Sequence, residues 1–427
     1  MAETFKLALK LILEYWWIIT PVALFFILRN LWLSYLQTKY LNSLKWVFLE
    51  IKIPKEVPKT PKAMEQTFAG LHAAQDFITF TDKWFKGEVP GWFSLEIIGQ
   101  GGKVKFFIRT VEKFRNLVEA QIYAQYPGAE ISEAEDYSLA IPAKIPSEDY
   151  DLWGTELILS KEDAYPIRTF PYFFEEAKEE ERIDPIASLA EGLSSLSPDE
   201  YIWVQILISP VGDKWKEKGD KLVEKLIGKK VERTKGGLIL EEAHSWFQAL
   251  LSGLGDLFFA SSEEFSVKKS VKKEERKVEN LILYLTPGQR EVVSEVEKNI
   301  SKLGFRTLIR FIYWAKSDVF SSANRALVIG AFKQFNTQNL NGFTVNLKTI
   351  PPKSGLFVKR RKFNKKLRLL NNYRKRHFLH NLPKRGFILN TEELATIYHI
   401  PGKIVEAPTM PRIEAKKGGP PASLPIE

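Results

Sequence analysis

Hydrophobic positions follow different rhythms in successive parts of this chain, and each rhythm predicts a different element. Tyr15 to Leu36 reads YWWIITPVALFFILRNLWLSYL, apolar on every side of a helix and broken by a single charge, Arg29. A helix of about 20 residues crosses the roughly 30 Å core of a bilayer, so the run predicts a transmembrane helix over about 15–36. Tyr15, Trp16 and Trp17 at one end and Trp32 and Tyr35 at the other suit the aromatic belts of a membrane interface, and Arg29 lies close enough to the end to snorkel. The strictly uncharged stretch, Tyr15 to Leu28, is shorter than a full span, which leaves a buried or interfacial helix open. A signal peptide is disfavoured, because no small-residue cleavage site is evident.

The pattern then alternates between strand and helix periods. Trp46 to Ile53 reads as a strand, Pro54 to Lys62 as a Lys/Pro linker, and Pro61 to Ala74 as a helix burying Met64, Phe68 and Leu71. Two alternating runs, Trp92 to Ile98 and Val104 to Thr110, flank a glycine cluster. Glu112 to Tyr126 follows as an amphipathic helix with Phe114, Leu117, Val118 and Ile122 on one face; Pro127 and Gly128 end it, and Ala129 to Ser132 begins a last strand. The order β-α-β-β-α-β predicts a ferredoxin-like α+β domain over 46–150.

A second unit over 151–350 shows the same texture. Its expected strands are Glu156 to Ser160, Tyr201 to Ile208, Leu281 to Leu285, Phe305 to Tyr313 and Gly342 to Leu347. Helices are expected at Pro185 to Leu196, Trp215 to Ile227, Ser321 to Phe335 and after Thr286-Pro287, an N-cap with proline at the first helical position. An insertion at 236–277 joins an apolar stretch around Trp246 and Phe247 to a Lys-, Glu- and Ser-rich loop. A basic segment covers 351–389, and 390–427 reads as a short helix and a tail. In that helix Asn390 is the N-cap, Glu393 completes a capping box, and Glu392 and Glu393 favour the first turn. Pro401 and Gly402 stop it; Pro408, Pro411, Pro420, Pro421 and Pro425 predict an extended leash. The fold class expected is therefore α+β: an N-terminal transmembrane helix, tandem ferredoxin-like α/β sandwich modules and a Pro-rich C-terminal tail.

Charge sharpens this picture. The formal charge is +10, with 62 Lys and Arg against 52 Asp and Glu, which points to an anionic partner, either nucleic acid or an anionic leaflet. Zero cysteines exclude disulfides, thiolate metal sites and cysteine catalysis. Lys6 and Lys10 precede the apolar run, whereas Arg29, Lys39, Lys45, Lys52 and Lys55 lie in or after its end. The positive-inside rule then places the body in the cytoplasm of a single-pass protein of the cell membrane.

Candidate chemistry concentrates in one place. Lys359 to Arg376, KRRKFNKKLRLLNNYRKR, is the densest basic run. Its cations, Lys359, Arg360, Arg361, Lys362, Lys365, Lys366, Arg368, Arg374, Lys375 and Arg376, suit the phosphates of DNA or RNA, and Phe363 and Tyr373 suit stacking on single-stranded bases. The same run suits anionic lipid, an acidic protein surface or plain solvation. His377 and His380 have a two-ligand spacing, but no acidic third ligand is near in sequence, so no metal site is assigned. Glu130, Glu133, Glu135 and Asp136, and Glu175, Glu176, Glu179, Glu180 and Glu181, read as solvated surface, and no catalytic residue or cofactor is assigned. Gly99-Gln100-Gly101-Gly102-Lys103 is the nearest approach to a phosphate-binding loop, and glycines between two strands make a hairpin turn instead.

Several words, in order, carry a resemblance: RNLVEAQIYAQYPGAEI at Arg115 to Ile131, WGTEL at Trp153 to Leu157, YPIRTF at Tyr165 to Phe170, DPIASLAEGLSSL at Asp184 to Leu196, and NTEELATIYHIPG with its Pro-rich strip from Asn390. They resemble the uncharacterised N-terminal region of membrane-associated ATPases related to type IV secretion coupling proteins and HerA-like translocases, in which the nucleotide-binding domain follows directly. No Gly-x-x-x-x-Gly-Lys-Ser/Thr string occurs here, so ATPase activity is not carried over. The resemblance implies a non-catalytic, membrane-anchored adaptor or assembly component of a conjugation-type DNA or protein translocation machine. Its implied partners are a separate P-loop ATPase, the membrane, DNA and further copies of itself; a membrane-tethered nucleic-acid-binding protein acting through 359–376 is the alternative.

Overall fold

The computed structural model describes residues 2–54, 59–141, 145–174, 183–228, 285–352, 354–376, 378, 386–402 and 412–413. The apolar strand runs assemble into a large, mainly antiparallel sheet. In its first half β1 (Trp46–Pro54), β2 (Phe93–Gln100), β3 (Lys103–Val111) and β4 (Glu130–Glu133) lie in the order β4-β1-β3-β2. Helix α2 (Lys62–Leu71) connects β1 to β2, and α3 (Arg115–Gln125) connects β3 to β4. Between β2 and β3, Gly101 and Gly102 have φ of +52° and +79°, the left-handed pair that a two-residue hairpin turn demands. The glycine cluster is thus a turn.

The second half repeats the arrangement with β5 (Tyr150–Leu159), β6 (Glu200–Pro210), β7 (Gly304–Lys316) and β8 (Phe343–Val345), in the order β8-β5-β7-β6. A single turn, α4 (Pro171–Phe174), and helix α5 (Ala187–Ser194) connect β5 to β6. Helices α6 (Lys214–Leu226) and α7 (Pro287–Ile300) lie between β6 and β7, and α8 (Arg325–Lys333) leads to β8. The α7 N-terminus is a complete capping box built by Thr286 and Gln289, with Pro287 at the start. The halves are one sheet. The second strand of each pairs with the other, β2 antiparallel to β6 from Phe93↔Ile208 to Gln100↔Tyr201. Both strands are buried along almost their whole length, which is why they read as continuous apolar runs.

One face of the sheet carries Met64, Phe68, Val118, Ile122, Leu193, Val328 and Phe332 from the helices. Helix α10 (Thr391–Ile397) joins the same core, and β9 (Phe387–Asn390) before it pairs with β7. The short helix expected ahead of the leash forms and is buried throughout, Glu392 and Glu393 included. The capping box of Asn390 and Glu393 forms as expected. Beyond Gly402 only Arg412–Ile413 is described, as β10, parallel to the end of β1; the remaining prolines of the tail lie outside the described residues. The insertion 236–277 and residues 281–284 also lie outside them.

A separate unit contains Met1–Lys45 and Asp76–Pro90. Its helix α1 (Ala2–Ser43) runs 42 residues, but among the described residues no helix is long and apolar enough to cross a membrane, so the expected transmembrane helix is not supported. The physical reason lies in its second half. There Arg29, Asn30 and Ser34 interrupt the apolar positions, and protein packs against one side. Leu33, Leu36 and Gln37 are buried, Trp32 Nε1 donates to the Trp84 carbonyl, and the Arg29 guanidinium lies 5.7 Å from the Trp84 ring. Gly87, at φ +73°, sits so close to the Leu36 backbone that a Cβ would be 2.4 Å from its carbonyl carbon. Other apolar side chains of α1, including Trp17, Phe25, Phe26, Leu31 and Trp32, remain exposed.

Candidate nucleic-acid interface

The basic run folds as one helix, α9 (Val358–Lys375), with no acidic residue in its length. Lys366, Leu369, Leu370 and Tyr373 are buried, the i, i+3, i+4, i+7 spacing of one helical face. That face seats on the second side of the sheet, against a core that includes Phe48, Ile98, Phe107, Leu152, Trp203, Ile312 and Trp314. Gly154 of β5 makes the approach feasible. A Cβ there would stand 2.5 Å from Leu369 Cδ2 and 2.5 Å from the Phe311 carbonyl oxygen.

Seating divides the ten candidate cations into distinct roles. Lys359, Arg360, Arg361, Lys362, Arg368 and Lys375 face solvent. Lys365 donates to the carbonyls of Lys348 (2.9 Å) and Ile350 (3.0 Å), and Arg374 to those of Ser138 (3.2 Å) and Ile141 (3.3 Å). Lys366 is buried and pairs with Asp151. Burial lowers the Lys366 pKa, as do the neighbouring charges of Lys362 and Arg325, and together they outweigh the opposing pull of Asp151.

Arg376 ends the helix in the left-handed region at φ +49° and is fully buried. Its guanidinium spans two carboxylates, Glu96 (2.7 and 3.1 Å) and Asp136 (2.6 and 2.8 Å), while its carbonyl accepts from Trp92 Nε1 at 3.0 Å. Burial resists ionisation of Asp136, but the Arg376 bonds and charge, with those from Ser138, hold its carboxyl below the usual range. Asp136, expected as solvated surface, is therefore half of a built ion cluster. Glu130 and Glu133 do lie near the surface, bonded to Lys52 and Arg115. Around the cluster, Gln205 Nε2 donates to Glu96 (3.1 Å) and to the Tyr373 carbonyl (3.2 Å), and the Tyr137 and Tyr373 hydroxyls are 2.7 Å apart. Burial, then the charge of Glu96, pushes both phenols well above their ordinary pKa. A strained terminus persists where its surroundings over-determine it; here they lock α9 in place.

Two clefts flank α9. One of about 840 Å³ lies beside its first half and includes Trp153, Phe320, Arg325, Lys359 and Lys362 in its walls. The other, about 640 Å³, lies beside Lys365 and Arg368 and reaches Glu156 and Lys348. Sequence reasoning missed Trp153, Phe320 and Arg325, all of which stand 33 or more positions before Val358. Only the WGTEL word hinted at Trp153. His377, His380 and Glu175 to Glu181 lie outside the described residues.

The other words that carry the resemblance meet on the opposite face of the sheet, where they hold one another in place. Glu393 accepts from the backbone N–H of Ile167 (3.0 Å) and Asn390 (2.9 Å), and Thr396 Oγ1 accepts from Phe170 N (2.9 Å). Burial pushes the Glu393 carboxyl up to about 8 despite those two bonds. His399 has Asp184 at 2.7 Å from Nε2 and the Ala395 carbonyl at 2.8 Å from Nδ1, so both ring nitrogens face oxygens. Asp184 also accepts from Ile186 N and Gly402 N. YPIRTF, DPIASLA and TEELATIYHIPG are thus three segments tied together by buried hydrogen bonds.

Residues 37–412 match the model of a family described as a domain of unknown function (DUF8128), and the chain belongs to that family. No curated protein matches it. The family description names no activity.

Proposed function

We propose that this DUF8128 protein is a non-catalytic nucleic-acid-binding scaffold that works beside a separate P-loop ATPase in a translocation machine of the type IV secretion kind. The observation that carries the reading is the outer side of α9, where Lys359, Arg360, Arg361, Lys362, Arg368 and Lys375 stand exposed on an acid-free helix. The cations are held at fixed spacing because their neighbours Lys366 and Arg376 are consumed in seating the helix. Fixed cations neutralise phosphates and release counterions without reading sequence. The adaptor part of the reading rests on the resemblance in the sequence and on the exposed apolar residues of α1, a kind of surface that partners cover.

Binding of labelled DNA to the full chain is expected to fall steeply between about 50 and 200 mM salt. Reversing Arg360, Arg361 and Arg368 to Glu is expected to weaken it at least tenfold and flatten the salt slope. An unchanged affinity with unchanged melting temperature would remove α9 as the interface. Lys366 and Arg376 are unsuitable for this test, since both are buried in the seat of the helix and losing Arg376 strips the buried Glu96 carboxylate of its cation.

A further inference from the structure

The larger cleft beside α9 does not end at its own walls. A neighbouring cleft of about 370 Å³ shares Asp151, Phe320, Lys359, Lys362 and Lys366 with it and extends to Phe363. Together they make a trough along the first half of the helix. Its aromatic surfaces are Trp153 of β5, Phe320 and Phe363; Phe363 is 46% exposed and Trp153 and Phe320 are partly so.

Its charge is one-sided. Arg325, Lys359, Lys362 and Lys366 line it against one carboxylate, Asp151, and that carboxylate is already paired with Lys366. Arg325 is held by its Nε bond to the Ser322 carbonyl (2.8 Å), with its guanidinium carbon 5.1 Å from the Trp153 ring. Cations standing this close repel one another, and an anion among them relieves the repulsion. A duplex keeps its bases stacked inside and offers such a trough only phosphates. A single strand offers both phosphates and free base faces, and base–aromatic stacking tolerates any sequence. The larger cleft is also of the size that organic ligands occupy.

We propose that this trough takes unstacked bases of a single-stranded nucleic acid, with Trp153, Phe320 and Phe363 as stacking surfaces and Arg325, Lys359 and Lys362 on the phosphates. The proposal rests on the nucleic-acid reading of α9 and adds to it the class of ligand and the residues that select it.

The test compares three probes on the full chain: a labelled 12-residue oligonucleotide, the duplex of the same sequence, and a free mononucleotide as competitor. The single strand is expected to bind about tenfold or more tighter than the duplex. Phe363→Ala is expected to weaken single-strand binding about five- to tenfold and leave duplex binding within twofold, whereas Arg325→Ala, which removes a phosphate contact, weakens both. Phe363 is solvent-facing, so its variant keeps the parent melting temperature. Equal affinity for the two forms, or single-strand binding indifferent to Phe363→Ala, overturns the trough while leaving α9 as a phosphate-binding surface. Tight binding of the mononucleotide alone, with full displacement of the strand, overturns it in favour of a free-nucleotide site. Failure of both nucleic acids to bind overturns the functional reading and this one with it.

Discussion

Glu393 shows how far one residue's environment can depart from what its letter suggests. In the sequence it is a first-turn glutamate that the helix dipole welcomes; in the structure it is buried and its carboxyl is raised to about 8. A group protonated in the folded state and ionised in the unfolded one contributes its stability below the unfolded pKa, about 4.5, and loses it as pH rises through about 8. The parent protein is therefore expected to lose stability across that window by at most about 1.4 kcal/mol per pH unit from this group. Glu393→Gln has no proton to lose; it keeps one oxygen acceptor and turns an amide NH2 toward the second of the two backbone donors, Ile167 N and Asn390 N, so it is less stable at every pH but loses the pH dependence. Urea midpoints measured at pH 5 and pH 8 are expected to converge in the variant, and an undiminished difference would assign the slope to other groups. Asp184 works in the opposite direction at acid pH. Despite burial, its bonds to His399, Ile186 and Gly402 hold it below the usual range, so its contribution is lost only as pH falls through that lowered value.

At the scale of elements, α9 depends on Gly154 for its seat. Gly154→Ala is expected to push Leu369 off β5 or to bend the strand, costing about 1–3 kcal/mol by overpacking and weakening nucleic-acid binding through displaced cations. Thermal melts and DNA affinity should fall together; a full loss of stability with unchanged affinity would show that the helix need not be seated to bind. Much of the element pattern was legible in the sequence. The strand runs within the described residues, the helix at Glu112 to Tyr126, the Thr286-Pro287 start and the Asn390 cap all follow from local period and capping chemistry. The seat of α9 was hidden because its apolar stripe is only Leu369, Leu370 and Tyr373, set among cations, and the fourth buried position is itself Lys366. Likewise Arg376 was read as one more surface charge because its partner Glu96 is 280 positions away. Hydropathy over Tyr15 to Leu36 is a local average as well, and it cannot register that Trp84 and Gly87 cover one side of α1.

At the scale of the molecule, the sheet and the α1 unit divide the labour in the proposed function. The sheet presents α9, and α1 presents apolar side chains. Purified with the product of a neighbouring P-loop ATPase gene, the full chain is expected to elute as a complex whose mass also reports its own copy number. Replacing Phe25, Phe26 and Leu31 with Ser should dissolve the complex without changing DNA affinity. A chain that elutes alone in every case counts against the adaptor role and leaves the nucleic-acid role standing. The buried Arg376–Glu96 pair has a further meaning in time. Glu96 leaves the ribosome early, and its counter-charge is made 280 residues later. At about 5–20 residues per second, that delay is on the order of half a minute. Until then Glu96 lacks its guanidinium, so the ion cluster that seats α9 is completed only after Arg376 has been synthesised.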